Sequence, residues 1–234
     1  MKGYGQFCPI AKASEVFCQR WTTLILRDLA GGATRFSQLQ RGVPFASPTL
    51  LSRRLKELEA EGIVERRQSA ARRGWTYHLT AAGEEFVPIV MALGTWGQRW
   101  SRRDLAEDEI DLDLFLWATE NTVDASAFGK RRTVVQMTFD DQPAHKSCWW
   151  FINENDACEL CLKQPGFEVD LYVSGNLPDL IGIWRGDVSL QSVADAGRLE
   201  VHGNSRLVKA FPRWLSASSL AHVASQRQQR AAAE

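Results

Sequence analysis

Between Ser47 and Leu79 the hydrophobic period of the chain switches from helical to alternating, with a glycine at the switch, and this limits the fold more than any other feature. Ser47 is a good N-cap and Pro48 suits the first helical position, so a helix is expected from there to about Ala60. Leu51, Leu55 and Leu58 form its apolar stripe, and Thr49, Ser52, Arg53 and Lys56 fall mainly on the other side. Gly62 ends it. Ile63–Arg66 and Trp75–Leu79 then read as two strands around a loop that closes on Gly74. Upstream, helices are expected at Cys8–Cys18, at Arg20–Ala30 before Gly31-Gly32, and at Arg35–Arg41 before Gly42. Downstream, Thr80 caps a long helix from Ala81 to about Trp100, whose face of Phe86, Val90, Leu93 and Trp96 or Gly97 needs a partner; Pro88 is expected to kink it or delay its start.

A short helix tight against a second one, followed by a two-stranded wing, is a winged helix-turn-helix, a shape that fits double-stranded DNA. The second helix would enter the major groove with Thr49, Ser52, Arg53 and Lys56 facing it, and an arginine there can read guanine through two hydrogen bonds. Ser47, Ser37 and Gln38 are placed to fix position on the backbone. Arg72 and Arg73, at the loop tip, suit an adjacent minor groove or its phosphates; replacing both should weaken all DNA binding and flatten its salt dependence. Charge agrees: residues 1–103 carry sixteen Lys/Arg against eight Asp/Glu, and residues 104–234 twelve against twenty, so a net charge of zero conceals a basic and an acidic half.

Residues 7–100 resemble the HxlR family of bacterial winged-helix regulators. The resemblance rests on Cys8-Pro9-Ile10, on the run from Arg20 to Leu29, on Arg35-Phe36-Ser37-Gln38-Leu39, on the run from Ser47 to Leu58, on Gly62-Ile63-Val64-Glu65-Arg66 and on the run from Tyr77 to Gly83. It implies a homodimer, held by the first and the long last helix of the domain, on a roughly palindromic operator, with repression the commoner sign. Cys8 matches a family cysteine that in some relatives senses oxidants or electrophiles, and a thiol at a helix N-terminus is biased toward thiolate. The alternative role for Cys8 is a small buried side chain at the dimer interface.

The expected architecture is α+β: a DNA-binding and dimerisation domain at 1–103, a polar linker at 104–111, a separate α+β domain at 112–218 and a flexible tail at 219–234. The second domain should hold a helix from Leu112, strands near 133–139, 146–153, 157–162, 170–174 and 199–202, and helices near 177–184, 190–196 and 205–214. Trp117, Trp149, Trp150 and Trp184 either line an apolar pocket or, with Trp214, belong to core or interface. The stretch from Val169 to Asn204, through Val169–Gly175, Leu180–Asp187 and Leu199–Asn204, resembles the sterol carrier protein type 2 superfamily. That resemblance implies a sheet with helices packed over it and a cavity for a small apolar ligand, which would act as the effector.

Several chemistries lack their residues. The five cysteines are an odd set for a disulfide framework, and Cys158-x-x-Cys161 supplies at most half a zinc site, so no metal is expected. His78, His145, His202 and His222 have no nucleophile motif around them, and Gly182-x-x-x-Gly186 follows no clear strand, so neither catalysis nor a cofactor is expected. No apolar run suits a membrane span or export signal, which leaves the cytoplasm as the expected location. The sequence thus points to a DNA-binding regulator rather than an enzyme.

Overall fold

The computed structural model describes residues 3–69, 74–101 and 103–226, and the chain divides into two compact units, 1–94 and 95–234. The first unit holds α1 (Pro9–Phe17), α2 (Thr22–Ala30), α3 (Phe36–Gly42), α4 (Pro48–Ala60), β1 (Val64–Gln68), β2 (Trp75–Leu79) and most of α5 (Ala81–Trp96). Ile25 and Leu26 of α2, Leu39 of α3 and Leu51, Leu55 and Leu58 of α4 make its core. Strands β1 and β2 pair antiparallel from Val64↔Leu79 to Gln68↔Trp75, and a single bridge from Arg35 to Thr76 ties the hairpin to the start of α3.

Two helix boundaries differ by more than one residue from the sequence expectation. Helix α2 starts at Thr22 rather than Arg20 because Trp21 takes a left-handed φ of 78°, which an α-helix of L-residues cannot contain. The half-buried Trp21 side chain packs on the core, and Arg20 lies 4.8 Å over its ring. Helix α5 ends at Trp96 and passes into a single π turn, Gly97–Ser101, while Pro88 sits inside the helix without ending it.

The wing and α5 are fastened at one point. Thr80 Oγ1 donates to Gly62 O at 2.6 Å and accepts from Gly83 N at 3.3 Å, and Thr80 N donates to Ile63 O at 3.1 Å. Gly83 is buried there, and an added Cβ would collide with Ile63 O and the Leu79 side chain. Gly83→Ala is therefore expected to destabilise the domain by about 1–3 kcal/mol despite alanine's better helix propensity, measurable as a lower urea midpoint. An unchanged midpoint would mean that the contact relaxes freely.

Asp28 of α2 is buried at 2% exposure. It accepts from Arg27 Nε at 2.8 Å through Oδ1, while Oδ2 has no hydrogen-bond partner. Burial raises its carboxyl above the usual carboxylate range, and Arg27 opposes this. The native state thus holds the Asp28 proton more tightly than the unfolded chain, so this contribution to stability is full below the ordinary carboxylate pKa and is lost as pH rises through the native one. Asp28→Asn should accordingly gain stability over wild type as pH rises through the acid range and hold that gain at neutrality. Thermal melts across that range check it; a gap that does not widen with pH would contradict it.

The second unit contains α6 (Leu112–Thr122), β3 (Thr133–Phe139), β4 (Cys148–Glu154), β5 (Ala157–Cys161), β6 (Leu171–Gly175), α7 (Leu177–Arg185), α8 (Leu190–Asp195), β7 (Leu199–Gly203) and α9 (Ser205–Trp214). The strands form one sheet in the order β5-β4-β3-β6-β7, with β3 and β6 parallel and the other pairs antiparallel. Alternation puts Val135, Met137 and Phe139 on one face, and there they join Phe151, Leu171 and Val173 in a core closed by Phe115, Leu116, Leu180, Ile183, Phe211 and Trp214 from the helices. Trp214 is fully buried, stacks on Phe128 and Phe211, and donates from Nε1 to Asn153 Oδ1 at 2.7 Å.

The expected linker and tail are partly built into this unit. Leu105 and Ile110 pack on its core, with a 3-10 turn at Glu107–Glu109 between them. Residues 219–226 are not free either: Val223 and Ser225 are buried, and Ser218 N donates to Trp184 O at 2.7 Å just before them. The rest of the expected tail, 227–234, lies outside the described residues. Among the described residues, no helix is long and apolar enough to cross a membrane.

Candidate nucleic-acid interface

The candidate interface is built on α4. Ser47 Oγ accepts from Leu50 N at 3.2 Å and Pro48 takes the first helical position, so the helix start is fixed by its own sequence. The stripe Leu51, Leu55, Leu58 is buried at 1% exposure or less, which turns the opposite side outward. On that side Pro48, Thr49, Ser52, Arg53 and Lys56 line one groove of about 510 Å³. The side chain of Arg53 is 63% exposed and only 3.9 Å from Glu57, so its fork can leave for a nucleobase at little cost.

Its neighbour Arg54 does something else. It is 8% exposed, donates from Nε to Arg20 O at 3.2 Å and from Nη1 to Glu57 Oε2 at 2.6 Å. It ties α4 to the turn that starts α2. Sequence reasoning assigned it no role, although position 54 falls on the stripe side beside Leu51 and Leu55.

The positioning residues divide in the same way. Ser37 is exposed near the start of α3. Gln38 is committed locally: its Oε1 accepts from Thr34 N at 3.1 Å and from Arg35 N at 2.9 Å, which caps α3. Gln40, missed in the sequence, donates from Nε2 to Ala46 O at 2.7 Å and to Val43 O at 3.4 Å, clamping the turn between α3 and α4. In the wing, Ser69 N donates to Gly74 O at 3.0 Å, and Arg66 lies 4.3 Å over the Trp75 ring while reaching Glu59 at 3.5 Å. Arg72 and Arg73 lie outside the described residues.

The tryptophans expected to share a pocket do not all lie on one side of the sheet, although Trp149 and Trp184 pack against the same core. Trp149 and Trp150 are adjacent on β4, so they point to opposite faces of the sheet. Trp149 packs on the core side and donates to Lys146 O at 2.6 Å; Trp150 donates to Gln136 Oε1 at 3.1 Å. Trp184 is spent on Thr122 Oγ1 at 3.1 Å, and Trp117 is half-buried on α6. A cleft of about 550 Å³ in this unit is polar, with Asp140, Asp141, Ser174, Asn176 and Arg198 among its lining and none of these tryptophans.

Cys8 is the half-buried N-cap of α1. Cys158 is pushed up to about 12, by burial first and then by Glu120, Cys161 and Glu159. Burial also raises Cys148 and Cys161. Cys158 and Cys161 are three residues apart on β5, hence on opposite faces.

The HxlR-like helix-turn-helix family model matches residues 16–105. The HTH-type transcriptional regulator YvaP of Bacillus subtilis (strain 168) is 36% identical over 99 residues, which span 90% of that protein and 41% of this chain. The chain belongs to the HxlR-like helix-turn-helix family. A second HTH-type regulator, sll1512 of Synechocystis sp., is 33% identical over 104 residues, 77% of its length and 44% of this chain. Among solved structures, the redox regulator HypR in its oxidised form is 32% identical, with a TM-score of 0.38 over 42% of this chain and 99% of that one. The reduced form of the regulator YodB from B. subtilis is 29% identical, with a TM-score of 0.36 over 40% of this chain and 93% of that one. The HxlR-like match ends at residue 105, before the five-stranded unit begins its sheet. The relatives named are transcriptional regulators, and this HxlR-like chain is a DNA-binding HTH-type regulator.

Proposed function

We propose that the protein is a sequence-specific, double-stranded DNA-binding transcriptional repressor, acting in the cytoplasm as a homodimer on a roughly palindromic operator. The observation that carries this reading is the groove on α4, where Thr49, Ser52, Arg53 and Lys56 face outward together from a helix fixed by the core beneath it. Ser47 and Ser37 fix position on the backbone, and Arg72 and Arg73 hold the flanking minor groove. A dimer is supported by exposed apolar side chains at the first and last helices: Phe7 just ahead of α1, Ile10 on it, and Ile89, Leu93 and Trp96 at a four-three spacing on α5. Two-fold symmetry then sets half-sites about 34–36 Å apart. Selection of bound duplexes from a random pool tests this. A motif with two inverted halves is expected; equal retention of all sequences would refute it.

For the control input, the opposite facing of Trp149 and Trp150 favours the Cys8 thiol over an apolar effector. Cys8 is partly exposed beside Phe7 and Ile10, on the face proposed to join two subunits, so its oxidation would bear on subunit arrangement. The sheet of the second unit, with helices over one face, supports its sterol-carrier-like reading, but its filled interior suits a structural or protein-binding module better than a lipid carrier. DNA affinity before and after diamide decides between the inputs: wild type should lose affinity and Cys8→Ser keep it. An equal response of both proteins would exclude Cys8.

A further inference from the structure

Phe45 is an apolar ring with no place in the core or on the proposed dimer face. It is 71% exposed, although its neighbours Val43 and Ala46 are buried at 0% and 1%. The turn carrying it is held from both sides: Ala46 N donates to Val43 O at 3.0 Å, and Gln40 Nε2 donates to Ala46 O at 2.7 Å. With the turn already held, a phenyl ring has only two side-chain torsions to fix on contact, so its ordering cost is small. Two residues later Ser47 caps α4, and Pro48 and Thr49 begin the groove lined by Ser52, Arg53 and Lys56. The ring therefore stands at the end of the helix whose N-terminal half faces base edges in a helix-turn-helix complex. An aromatic side chain there has one complementary group on a base edge, the 5-methyl of thymine.

We propose that Phe45 is a specificity-determining residue that reads a thymine methyl at one edge of each half-site. This rests on the reading of α4 as the recognition helix. The ring supplies an apolar surface just ahead of the groove, so preference at that base pair comes from methyl burial rather than hydrogen bonding. Removing one buried methyl is worth about a fourfold change in affinity per contact.

The test uses the full-length protein and the operator obtained by selection, with each thymine replaced in turn by deoxyuridine, which lacks only the methyl. Wild type should lose affinity about fourfold at one symmetry-related pair of thymines. Phe45→Ala should bind the thymine and deoxyuridine operators equally, while keeping its melting temperature and sedimentation coefficient. Phe45→Leu should keep part of the discrimination. The proposal is overturned if wild type ignores every replacement, if Phe45→Ala still discriminates, or if Phe45→Ala dissociates the dimer, which would place the ring at a subunit contact. Failure of the recognition-helix reading looks different, since Arg53→Ala would then bind the selected operator with unchanged specificity.

Discussion

Replacing Arg53 with alanine is expected to remove about 1–3 kcal/mol of specific binding, a loss of roughly ten- to hundredfold, while affinity for unrelated duplex changes little. Arg54→Ala should do the reverse, lowering stability by about 2–3 kcal/mol through lost charge-assisted hydrogen bonds and barely touching the ratio of specific to nonspecific binding in the protein that remains folded. The two side chains are adjacent in sequence and alike in charge. Arg53 is open to solvent with a loose contact to Glu57, whereas Arg54 is buried and bound to Arg20 O and Glu57. Titrations of both variants against operator and scrambled duplex, beside urea melts, separate the cases. An Arg53→Ala protein with unchanged specificity would remove α4 from the major groove.

Leu93→Glu is expected to break the proposed dimer. Leu93 is 54% exposed in one subunit, and Ile89 and Trp96 beside it are 56% and 58% exposed. Burying one leucine is worth about 1.5–3 kcal/mol, and two-fold symmetry applies it twice, so the dissociation constant should rise by roughly two to four orders of magnitude. Sedimentation at micromolar concentration would then show a monomer, and binding to a two-half-site operator would fall with it. A Leu93→Glu protein that still sediments as a dimer would place the subunit contact elsewhere.

Much of the DNA-binding unit was legible because its signals are local. Ser47, Pro48 and Gly62 bound α4, and the leucine period alone separates its buried side from Thr49, Ser52, Arg53 and Lys56. Local rules failed where a distant partner decides. Nothing near Arg54 announces Arg20 O, and nothing near Trp21 announces the packing that holds a left-handed tryptophan. Gln38 and Gln40 are both polar residues on one short helix, yet one caps its start and the other clamps the turn after it. In the second unit the strands and helices were readable from period and glycine placement. Which tryptophans share a face was not, because adjacent residues on a strand take opposite faces and composition ignores that alternation.

The fastening at Thr80 bears on how a signal would reach DNA. Thr80 and the close packing at Gly83 fix the start of α5 to Gly62 and Ile63, where α4 hands over to the wing. In mechanical terms the long helix is the handle of a lever whose working end is α4 together with β1 and β2. A few degrees of rotation at the handle would sweep both reading elements through the same arc, with no repacking inside the domain. Two subunits joined by their handles would then engage or miss a pair of half-sites as a caliper does, by opening angle alone.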